Sequence, residues 1–280
     1  MTDTSNADQK EFWSHTAGPK WLAHQAALDM LMQPVLDAVL ARAGLTFGDA
    51  VLDIGCGTGA STLQAADLVG PSGHVLGADI SDPMLARARE RAAGRDTVRF
   101  LNADAATHDF EDRFDHLISR FGVMFFDDPV GAFANMARAL KPGAWMTFAS
   151  WGQIPANPFF TLPARVARGI LGAPPKVDPD QPGPFAFRDP ERVIDILVRA
   201  GLTQARCEVV NLDLTPEDRA EAFAGLVCSI GPADATMTHF NASADQRVQL
   251  KAALVEALAE FDGPDGLRVP AEINVFQAQV

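Results

Sequence analysis

The chain has 280 residues, of which 48% are hydrophobic and 21% charged, the make-up of a globular protein with ample material for a core. Asp and Glu number 36 against 23 Lys and Arg, a formal net charge of −13, and no basic cluster is interleaved with aromatics. That balance argues against a nucleic-acid duplex or an anionic membrane surface as the main partner. The densest basic stretch, Arg87, Arg89, Arg91 and Arg95, alternates with Ala and Glu and is expected to be a solvated helix face.

Met1 to Lys10 is polar, lacks the basic start and apolar run of a secretory signal, and is expected to be disordered. From Phe12 to Gly44 the residues Trp13, Trp21, Leu28, Leu31, Val35, Leu36 and Val39 recur at helical spacing, which predicts two helices with Pro34 breaking or starting one. Strand, turn and helix then alternate, the pattern of stacked βαβ units around a parallel sheet. The predicted strands are 51–54, 74–79, 98–101, 114–119 and 144–150. Helices are expected over 60–68, from Ser81-Asp82-Pro83 to about Ala93, and over 130–140, the last stopped by Lys141-Pro142-Gly143. Residues 152–187 are rich in proline yet carry Phe159-Phe160 and Ile170-Leu171, so they read as an ordered lid. After them come a helix over 189–200, a strand over 205–214, a helix begun by Thr215-Pro216-Glu217, a helix over 245–261 and a last strand over 272–280. No window approaches the roughly 18 apolar residues of a membrane span.

The three cysteines, Cys56, Cys207 and Cys228, are too few and too scattered for a disulfide framework or a closed zinc site. No metal is expected, and a reducing, cytoplasmic setting fits best. The chain has no tyrosine, so no phenol can act as an acid or base.

Val51 to Ala60 is the stretch around which the rest is organised: an apolar run, Asp53, then Gly55, Gly57 and Gly59. Glycines at a strand-to-helix turn let a ligand approach the backbone, and the free N–H groups of the helix start favour a polar or anionic group there. Two ligand classes fit. Gly55, Gly57 and Ala60 satisfy G-x-G-x-x-G/A and Asp79 stands where a ribose diol would be held, so a dinucleotide is allowed on spacing. Asp53 weighs against it, because an acid there would face a pyrophosphate with like charge and suits a cationic group instead.

Val51 to Ala60 resembles motif I of the class I S-adenosylmethionine-dependent methyltransferases, D-x-G-x-G-x-G after the first strand. Asp79 is similar to the family's ribose-binding acid, and Asp104 in Asn102-Ala103-Asp104-Ala105 to the acid that accepts from the adenine amino group. Phe114 to Ser119 and Leu140 to Ala144 resemble the fourth-strand motif and the L-K-P-G-G turn. The likeness is close over roughly 45–150, looser beyond, and nearest to the small-molecule branch that includes quinone-biosynthesis C-methyltransferases. It implies an α/β, doubly wound, mostly parallel seven-stranded sheet, Rossmann-like, with an antiparallel last strand. One domain is expected over 1–280: helical arm 1–44, cofactor core 45–151, lid 152–187 and C-terminal part 188–280.

The implied cofactor is S-adenosyl-L-methionine, held by Asp53, Gly55, Gly57, Gly59, Asp79, Ile80, Met84, Asp104, Ala105 and Ser119; Asp79 and Asp104 could instead only cap the helices that follow. The implied activity is methyl transfer to a small apolar, aromatic or quinone-like acceptor. An NAD(P)-dependent oxidoreductase or a non-catalytic cofactor-binding scaffold is the alternative. Transfer needs alignment and, where the nucleophile carries a proton, a base. His15, in the arm, is the first candidate base, with His239 and His116 after it. Arg120 either holds a carboxylate at the site or pairs with Asp127 or Asp128. Trp13, Phe121, Met124, Phe125 and Trp151 are candidate substrate contacts. The expected partner is a small-molecule substrate, with no nucleic acid and no membrane insertion, and a homodimer is allowed.

Overall fold

The apolar run before the glycines forms β1 (Ala50–Ile54), buried along its whole length, as expected of a central strand covered on both faces. The computed structural model describes residues 6–215, 220–264 and 266–280. The glycine turn leads into α5 (Ala60–Val69), and β2 (His74–Asp79), α6 (Asp82–Arg91), β3 (Val98–Asn102), β4 (Phe114–Arg120), α7 (Pro129–Ala137) and β5 (Leu140–Trp151) follow. β2 pairs with β1 and β3, and β4 with β1 and β5, all in parallel. β9 (Val269–Gln279) lies antiparallel between β5 and the edge strand β6 (Thr203–Leu214), which gives a seven-stranded sheet in the order β3-β2-β1-β4-β5-β9-β6. The strand order reverses between β1 and β4. In open α/β sheets such a switch point opens a crevice at the carboxyl ends of the strands.

In front of the sheet run α1 (Ala7–Glu11), a π-helical turn (Phe12–Thr16), α2 (Ala17–Ala23), α3 (Gln25–Leu31) and α4 (Gln33–Ala43). The arm therefore holds four helices where two were expected, and residues 7–10, read as disordered, are helical; residues 1–5 lie outside the described set. Pro34 sits at the start of α4, where a missing N–H costs nothing. Leu28, Leu31, Val35, Leu36 and Val39 are buried, and α4 packs across β4 and β5.

The region 152–187 contains α8 (Pro158–Leu171), an amphipathic helix that the proline density concealed. It packs on α11 (Gly231–His239) and α12 (Ala244–Leu258) beside α10 (Ala220–Ser229). The helix expected from Thr215 starts among the described residues at Ala220, and 216–219 lie outside them. α9 (Pro190–Arg199) is capped by the Asp189 carboxylate, and β7 (Asp262–Gly263) and β8 (Gly266–Leu267) form a short hairpin before β9. Lys141-Pro142-Gly143 belongs to β5 and does not stop a helix; α7 ends at Ala137. No described helix is long and apolar enough to cross a membrane.

Candidate functional site

Three acids stand at the carboxyl ends of three neighbouring strands. Asp53 is at the end of β1, Asp79 closes β2, and Asp104 follows β3. Parallel register puts them side by side, since Asp53 pairs with Gly77 and Asp79 with Asn102.

Asp53 is fully buried, and its Oδ2 accepts from the hydroxyls of Ser61 and Thr62, each at 2.6 Å. Its Oδ1 has no hydrogen-bond partner among the described residues. Burial pushes the carboxyl up to about 6, against the pull of the two hydroxyls and the charge of Arg120. Its unpaired Oδ1 still needs a donor, and a ligand ammonium would supply one.

Asp79 accepts from the N–H groups of Gly57 and Ser81, both at 2.8 Å, so it holds the glycine turn against the start of α6. Burial raises its carboxyl as well. Gly57 has a left-handed φ of 55°, and a Cβ there would lie 2.9 Å from Met84 Cε. Gly55 meets Gly122 backbone to backbone: a Cβ on Gly122 would sit 2.4 Å from the Ile54 carbonyl and 2.7 Å from Gly55 Cα. This approach joins the β1 turn to the loop after β4.

Asp104 accepts from the N–H of Ala106 at 2.9 Å and from the Asn6 carboxamide, at 2.9 and 3.0 Å to its two oxygens. Met84 and Ala105 are buried, and Ile80 is half-buried between Asp79 and Ser81. The Gly57 turn, Asp79, Ile80 and Met84 thus come together, with Asp104 and Ala105 on the neighbouring strand end. The Ser119 hydroxyl serves otherwise than expected. It donates to the Ile54 carbonyl at 2.7 Å and accepts from Gly122 N at 3.1 Å, because β4 lies directly beside β1. It clamps the two loops and has no hydroxyl hydrogen to offer a cofactor.

Arg120 does not pair with Asp127 or Asp128. Its guanidinium, with a side chain only 12% exposed, lies 3.7 Å from Asp29 of α3, and its Nη1 has no hydrogen-bond partner among the described residues. Burial lowers its pKa, opposed by Asp29 and Asp53. Asp29 also binds Arg91 at 2.8 Å, and Arg91 Nη1 donates to the Thr58 carbonyl at 2.8 Å. Arg91 is therefore not part of a solvated face; it fastens the glycine turn to the arm. Arg87, Arg89 and Arg95 are exposed, as expected of a solvated face, Arg95 in a surface ion pair with Asp67.

The His15 side chain is 68% exposed, 3.8 Å from Glu11, and lines a cleft of about 400 Å³ between the arm and the start of α6, with Lys10, Asp82 and Pro83. His116 lies low on β4, opposite Val51 and 3.3 Å from Asp49. His239 packs edge-on against Phe240. None of the three forms a hydrogen bond or ion pair with Asp53, Asp79 or Asp104.

Above β4 and β5 the aromatics converge. Phe121, in a left-handed conformation at φ 65°, stacks on Trp151 at 4.3 Å, and Trp151 stacks on Phe159 at 5.9 Å and meets Phe160 edge-on at 5.0 Å. A non-glycine residue at positive φ stores strain of about 1 to 3 kcal/mol and persists only where its surroundings hold it. Trp13 sets its ring edge against Phe125 at 5.3 Å and lies 6.1 Å from Trp21, so the arm closes over this side of the crevice. Met124 is buried in the core. Phe159, Phe160 and Asn6 were not among the site residues expected from sequence; the Phe159-Phe160 pair, read only as an apolar pair of the proline-rich lid, was the available signal.

A family model described as a methyltransferase domain matches residues 51–143, the stretch from β1 to the start of β5. That stretch is similar to methyltransferase domains. The demethylmenaquinone methyltransferase of Staphylococcus aureus (strain JH9) is 36% identical over 123 residues, 44% of this chain and 51% of that protein. The chain thus spans about half the length of the curated relatives it matches. Among solved structures, phosphoethanolamine N-methyltransferase 2 of Haemonchus contortus with S-adenosyl-L-methionine is similar at TM-score 0.56 and 19% identity, covering 96% of this chain and 59% of that one. The YcgJ protein of Bacillus subtilis gives 0.52 and 20%, covering 87% and 97%. The [4+2]-cyclase SpnF gives 0.50 and 20%, covering 88% and 80%. The solved structures share this chain's fold, the class I methyltransferase sheet, and leave the reaction to the site, since a cyclase has that sheet too.

Proposed function

We propose that this protein transfers a methyl group from S-adenosylmethionine to a small, apolar, aromatic or quinone-like molecule, with the whole chain, arm, core, lid and C-terminal part, working as one unit. The observation that carries this reading is the row of three carboxylates on β1, β2 and β3, with Asp53 Oδ1 buried and unpaired beside the glycine turn. A pyrophosphate would be repelled there, whereas an α-ammonium satisfies it, so the residues fit a sulfonium amino-acid cofactor better than a dinucleotide.

In this reading Asp53 takes the ammonium and the unpaired Nη1 of Arg120 takes the carboxylate of the amino-acid end. The backbone around Gly55, Gly57 and Gly59 allows the chain of the cofactor to lie against it. Asp79 accepts from the ribose hydroxyls, and Asp104 accepts from the adenine amino group with Ile80, Met84 and Ala105 along the ring faces. When bound, the cofactor supplies a methyl carbon already activated by its sulfonium. The protein then has to place the acceptor in line and keep water out. Phe121, Trp151, Phe159 and Phe160 form the apolar wall suited to an aromatic acceptor, and Trp13, Phe125 and α8 close it. Buried Met124 acts behind this wall. His15, on the cleft beside Asp82, is the candidate base where the acceptor carries a proton.

A cytoplasmic location accords with three free cysteines, and a homodimer through the exposed edge strand β6 is compatible with the sheet. The test is transfer of label from methyl-labelled cofactor to a panel of phenols and hydroquinones. Label should appear in an apolar aromatic acceptor. Cofactor binding without turnover on any acceptor class would favour a scaffold or a different reaction on the same fold.

A further inference from the structure

Asn6 occupies the position at the start of α1 where an asparagine ordinarily caps the helix, yet its side chain makes no capping bond. It turns instead to Asp104, far along the chain, and its amide nitrogen donates to both carboxylate oxygens at 2.9 and 3.0 Å. Asn6 is 8% exposed, and its own carbonyl oxygen, like that of Gln9, is buried without a hydrogen-bond partner among the described residues. The arm is anchored further on, where the Ser81 hydroxyl donates to the Trp13 carbonyl at 2.9 Å and Lys20 pairs with Asp234. Gly18 makes that anchor feasible: a Cβ there would lie 1.9 Å from the Trp13 carbonyl oxygen.

An NH₂ group on a planar carbon, next to an acceptor atom, is also what the amino edge of adenine presents. We propose that the Asn6 carboxamide is an intramolecular stand-in for the adenine amino group. It holds the arm shut on Asp104, and the cofactor must displace residues 6–12 to reach that carboxylate. The two buried, unpaired carbonyls make the closed arm costly to hold, which suits a contact built to be exchanged. The anchor at Trp13 and Ser81 keeps the rest of the arm over the aromatic wall. This inference rests on the proposed role of Asp104 toward adenine.

The test is calorimetric titration of the full chain and of its Asn6→Ala and Asn6→Asp variants with S-adenosylhomocysteine, together with hydrogen exchange over residues 6–12. Both variants should bind about tenfold tighter, the equivalent of one charged hydrogen bond no longer broken on binding. In the unaltered chain the ligand should lower amide protection over 6–12, and each variant should show that lowered protection without ligand. Affinity that is unchanged or weaker in both variants, or protection that rises when ligand binds, overturns the proposal. If the unaltered chain and both variants all fail to bind, the cofactor reading falls. The ligand-free exchange then still decides this inference, because unchanged protection in the variants would show that Asn6 does not hold the arm.

Discussion

Lowering the pH through 6 should release the cofactor, and Asp53 is the reason. Its folded carboxyl sits at about 6 against the ordinary 3.8 of an aspartate, raised by burial. In the ligand-free protein, stabilisation from holding that proton is fully present below the unfolded value and is lost as pH rises through about 6. The difference of roughly two units corresponds to about 3 kcal/mol. Ligand binding has the opposite sign, because an ammonium pairs only with the ionised form. Near pH 7 most molecules are already ionised, whereas at pH 5 about one in ten is, so the dissociation constant for S-adenosylhomocysteine should rise about tenfold between them. Asp53→Asn removes the titrating group and the buried charge together. That variant should be more stable than the unaltered chain at pH 7 to 8, by up to about 3 kcal/mol, and should bind the ligand more weakly with a shallower pH profile. Some slope should remain, since burial also raises Asp79. Calorimetry between pH 5 and 8, with thermal unfolding of the ligand-free proteins beside it, measures both arms. A flat affinity profile in the unaltered chain, or a variant that keeps both the slope and the affinity, would refute the assignment of the ammonium to Asp53.

Asp79→Ala should weaken S-adenosylhomocysteine binding by about 1 to 3 kcal/mol through loss of charged hydrogen bonds, and unchanged affinity by calorimetry would remove its ribose role. Asp29→Ala leaves Arg91 and Arg120 without their shared counter-charge and should lower stability by about 3 kcal/mol, read from denaturant midpoints; a shift below about 0.5 kcal/mol would mean solvent already screens the pair. Gly122→Ala drives a methyl into the Ile54 carbonyl and should cost about 3 kcal/mol, with cofactor affinity falling too because the glycine turn must shift. Phe121→Ala should raise KM for an aromatic acceptor while leaving S-adenosylhomocysteine affinity within about twofold, and a matching loss in both would place Phe121 with the cofactor instead.

The strands that build the crevice were legible because each carries a local signal: β1 is an apolar run closed by glycines, and β2 ends in the acid that the turn requires. Arg91 and Arg120 were misread for the opposite reason. Their shared partner, Asp29, comes from the arm, and no spacing in the sequence announces a contact across that distance. Ser119 looked like a ligand contact because it ends β4, yet the adjacency of β4 and β1 commits its hydroxyl to the Ile54 carbonyl. α8 was hidden because Pro158 and Pro163 read as breakers; the first sits at the helix start, where its missing N–H is harmless, and the second is buried within the helix. α11 likewise begins at Gly231-Pro232, a pair that reads as a turn. Asn6 escaped notice inside a polar terminal stretch, where a contact with Asp104 leaves no trace in composition.

The most direct test of the central claim is one calorimetric titration of the full chain at pH 7.5 with S-adenosylhomocysteine, set beside the same titration with NADPH. A single site with a dissociation constant in the micromolar range for the first, and no heat from the second, is the predicted result. No binding of S-adenosylhomocysteine at high micromolar concentration, or tighter binding of NADPH, would contradict it.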